Sequence, residues 1–143
     1  MGMNQLRHLL AEECKSMHIN KYPDNNPKTL LGAQKAPLHL VPPSSIYYLS
    51  LGFKDGGIKY GPYNWRDSRV SASIYVAAAK RHIDAWFDGQ EVASDSKVQH
   101  LAHAMACLAI ILDAKSVGML NDDRPTKGAM PTLLDNFLKG DYS

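Results

Sequence analysis

Lys59–His103, KYGPYNWRDSRVSASIYVAAAKRHIDAWFDGQEVASDSKVQHLAH, decides how the chain folds. It reads as loop, helix, loop, helix. Asp67 or Ser68 can cap a helix that runs to about Phe87, where Asp88-Gly89 stops it. On that helix Ile74, Ala78, the Arg81 stem and Ala85 form one line, and Val76, Ile83 and Phe87 another. The Ala77–Ala79 run permits a close helix approach. The next helix begins near Ser94, Asp95 or Ser96 and reaches about Ser116, with Gly118 as its stop. Its Val98, Leu101, Met105, Leu108 and Leu112 recur at spacings of 3 and 4, a seam suited to antiparallel packing against the helix before it.

Working outward, residues 20–43 hold five prolines (Pro23, Pro27, Pro37, Pro42, Pro43) and Gly32. Proline at that density forbids a long helix and favours extended or turn conformations. Leu30, Leu31, Leu38, Leu40 and Val41 need cover, so this is an irregular segment laid over a helical body rather than a linker. Ser44 or Ser45 can cap a helix carrying Ile46, Leu49 and Phe53, and Gly56-Gly57 is the expected stop. Ile58–Arg66 then reads as a loop. Residues 4–17 can form a short helix on Leu6, Leu9, Leu10 and Met17, and Leu133–Leu138 another. No strand pattern of useful length appears. The expected class is all-α, a helical bundle of two long antiparallel helices plus shorter ones. It is expected as a single domain over residues 1–143: the Pro-rich segment at 20–43, the helical body at 44–118 and a tail at 119–143.

The bulk numbers restrict function. A chain of 143 residues with 45% hydrophobic content is large enough for one core. A net charge of +2 is modest for a protein that binds nucleic-acid polymers through counterion release. Cys14 and Cys107 make no disulfide framework, and a reducing cytoplasmic setting is expected. The first 20 residues carry charges and lack a signal-peptide apolar run. The longest apolar run, Cys107–Leu112, is far too short to cross a bilayer, so no membrane association is expected. The Ala-rich face of the helix before Phe87 and the Ile110-Ile111 side of the next need cover, which points to a homo-oligomer, dimer or tetramer.

Two constellations carry candidate chemistry. His100 and His103 are three apart on one helix face, away from Leu101 in the expected seam. A short connection brings them beside His82, Glu91 and Asp95. Imidazoles and carboxylates in one neighbourhood can hold a divalent cation, with mixed N/O ligation suiting Mn, Fe, Ni, Co or Zn. The alternatives are a hydrogen-bonded structural His cluster and unconnected solvent-facing imidazoles. Asp113 falls about 15 Å along the axis from His103 and is set aside as a solvated or helix-end residue. Cys107 is set aside for its apolar context. The second constellation is the loop with Lys59, Tyr63, Asn64, Trp65 and Arg66. Aromatic faces stack on bases, Asn reads a polar edge, and cations take phosphate. Arg81 adds another cation, and Lys28 and Lys35 are the basic positions of the Pro-rich segment. No Walker loop, dinucleotide fingerprint or CxxC occurs.

Four strings together resemble a phage-encoded family of dATP/dGTP diphosphohydrolases. They are NPKxxxGxxKxPLxLVPP from Asn26, GxKYGxxNWR from Gly57, YxxAxxRHxxAWxDGxE from Tyr75 and HLAHA from His100. The resemblance spans about residues 25–115. It implies metal-dependent cleavage of a purine deoxynucleoside triphosphate to monophosphate and pyrophosphate, in control of the nucleotide pool in the host cytoplasm. A helical layout like that of the MazG-like pyrophosphohydrolases goes with it. Those enzymes hold Mg through EExxE and ExxD helices, and this chain has neither, carrying RHIDAW and HLAHA instead. The reading that follows has Lys35, Lys59, Arg66 and Arg81 on the phosphates and Tyr63, Asn64 and Trp65 on the base. His82, Glu91, Asp95, His100 and His103 hold the metal (Mg or Mn by family), and Glu91 or Asp95 takes a proton from water. The competing reading is a non-catalytic protein that sequesters a nucleotide; a purely structural helical module is a third.

Overall fold

A computed structural model describes residues 2–5, 7–9, 22 and 24–141. The chain divides into two compact units, 1–42 and 43–143. In the first, the helix expected over 4–17 is present at 3–5 and 7–9, and its remainder lies outside the described residues. The Pro-rich segment holds one six-residue helix, α1 (Pro27–Gly32), and a 3-10 turn at Leu38–Leu40. Pro27 starts α1 rather than breaking it, because the first helical position needs no N–H and Asn26 Oδ1 accepts from Lys28 N at 2.9 Å.

The second unit is mostly helical. Its elements are α2 (Pro43–Tyr60), α3 (Asn64–Asp67), β1 (Val70–Ser71), α4 (Ala72–Phe87), α5 (His100–Ser116), β2 (Leu120–Asn121) and α6 (Met130–Leu138). The α4–α5 pair is the most extensive helix contact, and α2 packs against α5 as well. β1 and β2 pair in parallel, Val70 with Leu120 and Ser71 with Asn121. Trp65, Val70 and Ala114 form the buried centre, with Phe53, Tyr75, Ile110, Met119 and Leu120 packed around it. Among the described residues no helix is long and apolar enough to cross a membrane.

Four expectations change. First, α2 begins at Pro43, ahead of the serines expected to cap it, and runs through Gly56-Gly57 to Tyr60. A glycine stops a helix by turning left-handed, and the residue that does so is Gly61, at φ +89° with its N–H on Gly57 O at 3.0 Å. Second, α4 starts at Ala72, because Val70 and Ser71 are drawn into the strand pair. Its N-terminus is capped from a distance: Asp123 Oδ1 accepts from Ser73 N at 2.8 Å, and the Ser73 hydroxyl donates to Asp123 Oδ2. Third, α5 starts at His100, not near Ser94–Ser96. Lys97 is left-handed at φ +58°, and Ser96 Oγ accepts from Val98 N in a tight turn.

The fourth change moves the core. The three leucines of the expected seam are exposed, Leu112 at 70% with Leu101 and Leu108, while Val98 and Met105 are half-buried. The residues of α5 that pack are small: Ala102 and Ala114 have no exposed surface, and Ala104 and Ala106 are buried. The reason is proximity. A Cβ built on Gly52 of α2 falls 2.8 Å from Ala102 O and 3.2 Å from Ala106 Cβ, so the two helices touch backbone to backbone. With α2 at that range, only alanine-sized residues of α5 fit between the two helices. The Ala77–Ala79 run contributes the same property to α4, where Ala79 is buried.

Gly52→Ala therefore destabilises the fold by about 1–3 kcal/mol through overpacking. Gly56→Ala, with open space at its Cβ, is stabilising by about 0.5–1 kcal/mol. Thermal unfolding of the two variants should move the midpoint in opposite directions.

Candidate active site

The groove of the second unit is walled by α2, α4, α5 and the Gly61–Arg66 turn, and encloses about 940 Å³. That is within the size range of small-molecule sites. The Gly56-Gly57 pair in α2 lies along it and adds no side chain to its floor.

One end is organised by Asp113. Its Oδ2 accepts from Trp65 Nε1 at 2.7 Å and from Arg66 Nε at 2.8 Å, and its Oδ1 accepts from Arg66 Nη2 at 2.8 Å. The fork-to-fork pair and the indole N–H hold the Asp113 carboxyl down at about 2. Trp65 is buried, 5.5 Å from the Phe53 ring. The Arg66 guanidinium lies 4.7 Å over the ring of Tyr63, which stands left-handed at φ +55° ahead of α3. Tyr63 itself is exposed.

The other end is ionic. Lys59 Nζ bridges Asp55 at 2.8 Å and Asp95 at 3.2 Å, and the bond to Asp55, then that to Asp95, raises its affinity for a proton. Next to it lie His82 and His103, their rings stacked with centroids 4.7 Å apart. His82 Nδ1 is 2.8 Å from His100 Nδ1, His100 Nε2 is 3.0 Å from Gln90 Oε1, and His103 Nε2 is 2.8 Å from Ser96 Oγ. Burial pushes His82 and His103 below the ordinary imidazole value of 6.5. The neighbouring imidazoles and Arg81 push His82 the same way, while Asp55 and Asp95 work against the shift in His103.

Of the residues expected on sequence grounds, Lys59, Tyr63, Asn64, Trp65, Arg66, Arg81, His82, Asp95 and His103 do line this groove. His100 is buried behind it, and Glu91 lies exposed outside its lining. Lys35 belongs to the first unit, beside a smaller hollow with Thr29 and His39. Roles change as well. Trp65 is a core residue with its N–H engaged, not an open stacking face. Arg66 and Lys59 are each neutralised by carboxylates. Arg81 forms no hydrogen bond or ion pair among the described residues and remains the available cation.

A metal implied by the resemblance does not fit the five expected ligands as they stand. Among the described residues no three His, Cys, Asp or Glu side chains are placed to hold one ion. Both ring nitrogens of His100 are engaged, His103 Nε2 is on Ser96, and Asp95 is on Lys59. The imidazoles form the hydrogen-bonded cluster instead.

Asp113, set aside on helical distance from the His pair, is the centre of the site's other end. Its partners are Trp65 and Arg66 of α3, not the His pair. Asp55 was overlooked because the helix was expected to end at Gly56; its i,i+4 spacing to Lys59 was the available signal. Gln90 and Ser96 carried no signal beyond being polar residues in a connecting loop.

The matched sequence covers all of this. The family described as dATP/dGTP diphosphohydrolase, N-terminal, matches residues 25–124. The chain belongs to that family. No curated protein and no solved structure matches it. Every residue of the groove, together with Gln90, Ser96 and His100, falls inside the family stretch, whereas α6 falls after it.

Two measurements follow. The unfolded chain takes up protons at His82 and His103 near 6.5, and the folded protein does so only at lower pH. Stability is therefore complete above about 6.5 and declines as pH falls below it. Melting temperatures between pH 7.5 and 5.5 should fall in the parent and fall less in a His82→Gln, His103→Gln double variant. Asp113→Ala, in a Trp86→Phe background, should red-shift the Trp65 emission and lower the melting temperature.

Proposed function

We propose that the protein hydrolyses purine deoxynucleoside triphosphates, dATP or dGTP, to the monophosphate and pyrophosphate. Family membership supports the reaction class. The observation that carries the reading to this groove is its division of labour: an uncommitted guanidinium, Arg81, shares one cavity with an exposed aromatic turn, Tyr60 to Tyr63. Arg81 takes the phosphates, Tyr63 stacks on the base and Asn64 meets its polar edge. Lys59 and Arg66 shape the walls through their carboxylate partners.

Charge balance describes the form of the substrate. The groove is lined by Lys59, Arg66 and Arg81 against Asp55, Asp95 and Asp113, three cations and three carboxylates. A triphosphate entering a formally neutral groove needs compensating charge. It therefore enters as its complex with a divalent cation such as Mg or Mn, the phosphates supplying most of the ligands. The role is control of a phage's nucleotide pool in the host cytoplasm, with no nucleic-acid polymer or membrane as partner.

We read α4 and α5 as an antiparallel pair, supported by His82 lying on His100 and His103 while Tyr75 lies near Cys107. The exposed stripes Val76, Ile83, Phe87 and Leu101, Leu108, Leu112 on these helices support a homo-oligomer.

Incubation with each dNTP plus Mg or Mn should release pyrophosphate from dATP or dGTP in preference to the pyrimidine triphosphates. Arg81→Gln should raise KM about tenfold or more. Binding of purine nucleotides without pyrophosphate release would instead assign the protein as a nucleotide-sequestering one.

A further inference from the structure

We propose that His82 is the general base of the reaction, and that Gln90, acting through buried His100, is the positioning residue that fixes which of its nitrogens is basic. The proposal rests on the hydrolytic reading above and brings in Gln90, a residue that no sequence motif singles out.

The tautomers follow from the acceptor at the far end. His100 Nε2 lies 3.0 Å from Gln90 Oε1, and an amide oxygen only accepts, so that nitrogen carries the proton. The Gln90 amide is oriented by its own Nε2, which donates to Ser94 Oγ at 3.4 Å. His100 is buried, no carboxylate contacts it among the described residues, and in the proposed relay it carries that one ring proton. Its Nδ1 then offers a lone pair. His82 Nδ1 faces that lone pair at 2.8 Å and must be the donor. The proton order is therefore His82 Nδ1–H to His100 Nδ1, and His100 Nε2–H to Gln90 Oε1. His82 Nε2 is left as a free lone pair.

That lone pair is open to the groove. His82 lines the cavity, and its Nε2 has no protein partner among the described residues. Buried side-chain nitrogens and oxygens without a partner are absent from the described residues, so Nε2 reaches solvent. The arrangement is base, orienting group and anchor, the order of parts found wherever an imidazole must present one defined nitrogen.

The surroundings favour the neutral base. His103 stacks on His82 from α5, His100 bonds it from behind, Arg81 is its neighbour on α4, and Asp95 faces it from the connecting loop. Burial and the three basic groups outweigh Asp95 and push His82 below its ordinary value. From α2, Lys59 and Asp55 act on His103 in opposite senses. His82 is thus ready to accept a proton at neutral pH.

In the step, a water oxygen forms a bond to the α-phosphorus while His82 Nε2 takes one of its protons. The bond from that phosphorus to the bridging oxygen breaks, and its electron pair leaves with pyrophosphate. The imidazolium then returns the proton to bulk water, and no further reactant is required.

The test uses the full chain and two readouts. In long-range nitrogen–proton spectra at pH 7.5, His82 should be the Nδ1–H tautomer and His100 the Nε2–H tautomer. Gln90→Leu should mix both. In steady-state kinetics with the preferred dNTP, His82→Gln should lower kcat about 100-fold or more. Gln90→Leu should lower kcat about tenfold with KM unchanged. Gln90→Glu, which restores an acceptor and adds charge, should recover the rate and move the acid limb of the pH profile upward. A His82 Nε2–H tautomer in the parent protein overturns the relay, as does a Gln90→Leu variant with unchanged kcat and pH profile. A parent protein that shows the expected tautomers but hydrolyses no triphosphate sinks the hydrolytic reading and leaves the relay standing.

Discussion

A single carboxylate, Asp113, fixes where the turn after α2 can sit. It takes the indole N–H of Trp65 and both arms of Arg66, residues adjacent in sequence whose side chains can meet one acceptor only if α3 is seated against α5. With Trp65 held there, its ring completes the core with Val70 and Ala114, and Val70 starts the short strand that pairs with Leu120. Arg66, already engaged, covers the ring of Tyr63 and holds it in its left-handed position at the groove mouth. An ion pair at the surface contributes little by itself. This one matters because a buried indole N–H shares the same oxygen, and leaving that donor unpaired would be costly.

The groove exists because the helices around it approach unequally. At Gly52, α2 and α5 meet at backbone distance, and Ala102 and Ala106 leave no room for larger side chains. Farther along α2, Gly56-Gly57 and the turn at Gly61 line an open cavity instead. Charge is then distributed so that most of it is internally balanced. Lys59 answers Asp55 and Asp95, Arg66 answers Asp113, and Arg81 has no such partner. Beside Arg81, His82 and His100 share a hydrogen-bond chain that ends on the Gln90 amide, and the His103 ring stacks on His82. A cavity with one uncommitted cation, one exposed aromatic turn and one oriented imidazole is suited to a phosphorylated aromatic ligand.

The helical class, the short helix near the C-terminus and the family were legible in the sequence. Nine of the residues selected from it line one cavity. Sequence reasoning misplaced the core, since leucines spaced by 3 and 4 look like a seam whether or not a neighbour covers them. It ended α2 at the first glycine pair, because a glycine's conformation is not written in its identity. It gave Trp65 and Arg66 to a ligand because their types suit one, while the acceptor that takes both lies 47 and 48 residues away.

The chain by itself determined what depends on residue type and near neighbours. The helix-forming runs and prolines set the class, the motifs from Asn26 to Ala104 set the family, and the local density of His, aromatic and basic residues marked a candidate site. Only the tertiary structure decided which partners those residues take. The small-residue faces of α2, α4 and α5 bring helices so close that alanines, not leucines, become the core. The same closeness carries Asp113 to Trp65 and His100 to His82. Hydrogen-bond partnership depends on separations of about 3 Å between residues far apart in sequence, and no local pattern encodes that distance.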